Sequence, residues 1–114
     1  MNEYIENLEN EKKKIEVQIT KKKNQLLSET KKINEINREI QALKEYRLVG
    51  TPQEMEILYF MHKHLISLKK QERRAFLRAK RYATRIECLE TELFFVNGKI
   101  EELKMVKELR KNKK

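Results

Sequence analysis

Aspartate and tryptophan are absent from the 114 residues, and there are only one cysteine, one proline and two glycines. So few turn-formers cannot supply the reversals that a sandwich, a barrel or a doubly wound sheet needs, which excludes all-β and α/β folds. Cys88 has no second cysteine to pair with and reads as a helix-surface or seam-edge residue. No stretch approaches the ~18 uncharged apolar residues of a membrane span. The start, Met1-Asn2-Glu3-Tyr4, is too acidic for a signal peptide, so a cytoplasmic protein without membrane insertion is expected. Lack of Asp removes a Ser, His and Asp set, and the chain carries neither a glycine-rich phosphate loop nor paired cysteines. His62 and His64 are two apart, so on a helix they point to different faces and cannot share a metal. A non-enzyme without cofactor or metal is expected.

Charge is what the chain has in excess. Charged residues make up 39% and aromatic residues 7%, with 27 Lys plus Arg against 18 Asp plus Glu, so the core must be a thin seam. Ile5, Leu8, Lys12, Ile15, Ile19, Lys22, Leu26, Glu29, Ile33, Ile36, Ile40, Leu43 and Arg47 recur alternately three and four apart. That period keeps one narrow stripe facing a partner helix. Leu58, Met61, Leu65, Leu68, Glu72, Ala75, Ala79, Tyr82, Ile86, Leu89, Leu93, Val96, Ile100 and Leu103 form a second seam of the same kind.

Between the seams lies Leu48-Val49-Gly50-Thr51-Pro52-Gln53-Glu54. Gly50 can close a helix in the left-handed conformation. Thr51 can cap the next helix, Pro52 suits its first position, and Glu54 completes a capping box. The prediction is one all-α domain over 1–114, a two-helix antiparallel coiled-coil hairpin with a longer C-terminal helix. Helix 1 covers about 3–48, the turn 49–51 and helix 2 about 52–110. So short a connection predicts that Leu43 meets Leu58, Ile36 meets Leu65, Ile15 meets Ile86 and Leu8 meets Leu93. The same alignment puts Glu29 and Glu72 in one layer, with Arg73 and Lys69 as counter-charges. It also leaves residues from about 102 to 114 without an intramolecular partner, although Leu103, Val106 and Leu109 continue an apolar stripe among Lys104, Lys107, Arg110, Lys111, Lys113 and Lys114.

The first 49 residues carry 11 basic and 9 acidic groups and the rest 16 and 9, so the second helix is the basic one. Within it Lys69, Lys70, Arg73, Arg74, Arg78, Lys80, Arg81 and Arg85 oppose only Glu72, forming a basic collar suited to an anionic partner. Tyr46, Leu48, Val49, Met55, Ile57, Tyr59, Phe60 and Ile66 are apolar residues outside the seams near the bend, and read as a docking patch. Phe94, Phe95 and Val96 form a second cluster near the chain start. One function these features allow is a basic coiled-coil adaptor or nucleic-acid-binding protein whose collar holds phosphates. No stacking platform or recognition helix accompanies the collar.

A small, basic, antiparallel helical hairpin with both termini at one end and a longer C-terminal helix resembles the central stalk proteins of type III secretion systems, the FliJ/YscO family. The Lys-, Asn- and Ile-rich wording and the start Met1-Asn2-Glu3-Tyr4-Ile5-Glu6 look most like its injectisome SpaM/InvI type. That resemblance implies a shaft similar to the γ subunit of rotary ATPases. Its partners would be a hexameric secretion ATPase, an export gate protein and secretion chaperones, at the cytoplasmic face of the apparatus, with no nucleic acid. Carried over by location, the ATPase-binding end would be Ile5, Leu8, Val96, Ile100, Leu103, Lys104, Val106, Lys107, Leu109 and Arg110. The export-gate patch would be Tyr46, Leu48, Met55, Tyr59 and Phe60.

Overall fold

The structure is a computed structural model that describes residues 2–45 and 51–112. Those residues form two helices, α1 over Asn2–Glu45 and α2 over Pro52–Asn112. Tyr46, Leu48 and Gly50, with the expected end of helix 1, lie outside the described residues, as do Lys113 and Lys114. Glu3 in the first turn of α1 and Lys44 in its last complement the helix dipole. At the start of α2 the Glu54 amide donates to Thr51 Oγ1 at 3.2 Å and the Thr51 amide donates to Glu54 Oε2 at 3.4 Å. The Met55 amide closes the first turn on the Thr51 carbonyl at 2.9 Å. The capping box is therefore formed as the sequence predicts, with Pro52 at the first helical position, where no amide donor is missed.

The helices divide into two compact units, one of residues 1–24 with 82–114 and one of 25–81. In the first, Glu9 pairs with Lys104 at 3.3 Å and Lys23 with Glu90 at 3.6 Å. As α1 advances, its partners on α2 recede, so the helices are antiparallel. Ile15, Ile19 and Leu89 form the buried cluster here, with Leu93 and Val96 packed on it. In the second unit Glu29 meets Arg78, while Leu43 shares a shallow groove with Leu58, Met61, His62 and Leu65. Packing runs antiparallel there as well.

Both seams carry the core. Every described position of the first is buried or half-buried, and so is every position of the second except Leu58, 38% exposed. The alignment between the seams differs from the one the connection predicts. Glu9 reaches Lys104, Ile15 clusters with Leu89 and Leu93, and Glu29 meets Arg78, so these partners lie a few residues further toward the C-terminus of α2 than expected, whereas Leu43 still shares its groove with Leu58.

Candidate functional site

This shift changes what lies beside Glu29, a carboxylate 6% exposed on the seam face of α1. Arg78 donates from Nε to Glu29 Oε1 at 3.0 Å, and Lys32 Nζ lies 3.7 Å from the same oxygen. The expected counter-charges Arg73 and Lys69 and the shared layer with Glu72 are corrected accordingly. Glu72 is six residues before Arg78, about 9 Å along α2. The hydrogen bond from Arg78, aided by the charges of Arg78 and Lys32 and opposed by burial, holds the Glu29 carboxyl below its ordinary pKa. Glu29 Oε2 and the nearby Gln25 Oε1 are buried without a hydrogen-bond partner among the described residues. Lys32, Glu35, Ile36, Glu39, Arg74 and Arg78 are among the residues lining an open cleft of about 380 Å³ beside this pair. Its acids and bases neutralise one another, so it offers no concentrated charge to a ligand.

The expected ATPase-binding end separates into two kinds of residue. Ile5, Leu8 and Ile100 are buried at 8%, 8% and 5% exposure, and Val96 and Leu103 are half-buried. These side chains hold α1 to α2 and are not available to a partner. Lys104 is engaged by Glu9, and Lys107 donates to Asn2 Oδ1. Val106, Leu109 and Arg110 are exposed. The unpartnered stretch expected from about residue 102 therefore begins only after Lys107, because the shift brings the start of α1 alongside this part of α2.

Sequence reasoning passed over one residue of this end. Met105 is 64% exposed, and with Phe94, Phe95 and Gly98 it lines an open apolar surface on α2. The Phe94 and Phe95 rings meet edge to face at 5.9 Å. Met105 lies four residues before Leu109, itself 60% exposed, on one helix face. That spacing was the available signal, obscured because Met105 falls between the seam positions Leu103 and Val106 of the stripe traced first.

Of the expected gate-side patch, Met55, Tyr59 and Phe60 are exposed at 57%, 56% and 61%. Tyr59 and Phe60 stack edge to face at 5.8 Å, and Lys63 Nζ sits 4.7 Å from the Tyr59 ring centre. Tyr46 and Leu48 of that patch lie outside the described residues. The collar residues Lys69, Lys70, Arg73, Arg74, Arg78, Lys80, Arg81 and Arg85 are all exposed, and Arg78 also reaches across to Glu29. Cys88 is exposed and free. No helix of the described residues is long and apolar enough to cross a membrane. No protein-family model, curated protein or solved structure shows a significant match to the chain.

Proposed function

We propose that the protein is the central stalk of a type III secretion system. In this reading the end bearing both chain termini enters the hexameric secretion ATPase, and the start of α2 contacts the export gate. The observation that carries the reading is the antiparallel pairing of Asn2–Glu45 with a longer, basic α2 that ends in an exposed apolar and cationic turn. A cationic shaft would be attracted into a ring lumen lined by carboxylates, with charge setting the encounter rate and apolar contacts the residence time. The chain would supply contact, and ATP turnover would belong to the ring. Secretion chaperones would bind the exposed faces of the same hairpin.

Met105, Val106, Leu109 and Arg110 are the side chains free to make the ATPase contact. Met105→Asp with Leu109→Asp places two charges on this surface without entering the seam. The double variant is expected to stay helical by circular dichroism while stimulation of the partner ATPase, and co-purification with it, falls at least ten-fold. Full stimulation by the variant would remove this end from the contact. The collar leaves room for the second reading, a nucleic-acid-binding or adaptor coiled coil. Weak retention on DNA or RNA at low salt would discard the nucleic-acid form.

A further inference from the structure

The basic collar is not uniform around α2. Tyr59, Lys63, Ile66, Lys70, Arg73 and Leu77 recur alternately four and three apart on the side of the helix opposite its seam, and all are exposed. Tyr59, Ile66 and Leu77 are 56%, 42% and 52% exposed. No acid interrupts this stripe, since Glu72 lies on the seam, half-buried. Arg78, which pairs with Glu29, is not part of this stripe. All six side chains belong to one compact unit, and the stripe runs roughly 27 Å along the helix.

We infer that this face of α2 binds the surface of an anionic phospholipid bilayer. The cations would contact lipid phosphates while Ile66, Leu77 and the Tyr59 ring enter the headgroup boundary. Lys and Arg stems can lie along an apolar surface with their charges at the phosphates, so the two residue types on this face act together. A nucleic acid would use the cations and leave Ile66 and Leu77 against a hydrated backbone, because an aliphatic side chain neither pairs with phosphate nor stacks on a base. Cations and aliphatic groups interleaved along one outward helix face match a planar, anionic surface with an apolar interior. This contact is peripheral; it shares Tyr59 with the expected export-gate patch, while Lys63, Ile66, Lys70, Arg73 and Leu77 lie outside that patch.

The test is flotation of the full chain with vesicles of phosphatidylcholine containing about 30% phosphatidylglycerol, against phosphatidylcholine alone. Binding is expected to the anionic vesicles only, and to vanish near 0.5 M salt as the charges are screened. Lys63→Glu, Lys70→Glu and Arg73→Glu together should weaken it by more than about 100-fold, at about five-fold for each cation removed before reversal is counted. Lys13→Glu, Lys14→Glu and Lys21→Glu, exposed residues of α1 that change net charge equally, should leave at least a third of the affinity. Ile66→Ser with Leu77→Ser should weaken binding several-fold without removing its salt dependence. Equal losses in the two charge-reversed variants, an unchanged affinity in the serine variant, or equal binding to neutral vesicles would overturn the inference. So would retention on duplex DNA or single-stranded RNA with no partition onto vesicles.

Discussion

Leu89→Ala is expected to lower the unfolding free energy by about 3 kcal/mol, the largest loss from any single truncation in the seam. Leu89 is 1% exposed and packs with Ile15 and Ile19 across the helix pair, with Leu93 and Val96 closing over the cluster. In a core one seam wide there is no second layer to relax into the space, so both transfer energy and contact energy are lost. Phe94→Ala removes a larger side chain and should cost under about 0.5 kcal/mol, since Phe94 is 74% exposed. Urea unfolding of both variants at matched pH checks the contrast. A loss below about 1 kcal/mol for Leu89→Ala would mean that the seam is not packed as described.

The second large effect belongs to the polar layer. Arg78→Ala leaves the Glu29 carboxylate buried with Lys32 as its remaining cation, and should cost about 2 kcal/mol at pH 7. Glu29 titrates below its ordinary value in the folded chain, so its contribution is present above the unfolded pKa near ~4.3 and is lost as pH falls through the lower folded value. Without Arg78, burial pushes the same group upward, and acid then relieves the variant while it weakens the parent. The difference between the two should therefore shrink as pH is lowered below ~4. A difference independent of pH from 7 to 3 would assign the cost to lost packing of the Arg78 stem instead. Glu29→Leu should be neutral or stabilising, because Glu29 Oε2 is buried without a hydrogen-bond partner among the described residues, and an apolar residue leaves nothing to satisfy.

Those two sites mark where the sequence was readable and where it was not. Leu89, Ile15 and Ile19 were assigned to the seam from spacing alone, because burial on a helix pair follows a period that any seven-residue window displays. Their pairing was legible near the bend, where Leu43 lies with Leu58, and only approximate further along, because a periodic seam does not by itself fix which repeat faces which. The residues that break the symmetry are polar: Glu29 needs a cation beside it, and Arg78 rather than Arg73 supplies one. Capping at Thr51 depends on neighbours three residues away and was fully legible. The terminal end was only partly so. Its length beyond α1 depends on the alignment, and Lys104 and Lys107 proved to be engaged by Glu9 and Asn2. The collar was visible as a charge run, but that Arg78 of it pairs with Glu29 required the position of α1.

Exposed apolar side chains in the unit of residues 1–24 and 82–114 include Tyr4 on α1 and Met105 and Leu109 on α2. Ile5, Leu8 and Ile100 are buried there, while Met105 and Leu109 are exposed.

The fold-back itself is tested most directly by spin labels at Glu9 and Lys104 in a Cys88→Ser background, measured on material whose mass is determined in solution. The structure predicts the labels within about 20 Å of each other on the same chain, since the two native side chains lie 3.3 Å apart. An unbroken helix would separate the same positions by about 140 Å at 1.5 Å per residue. A doubled mass with the labels beyond the measurable range would contradict the hairpin and every surface assigned from it.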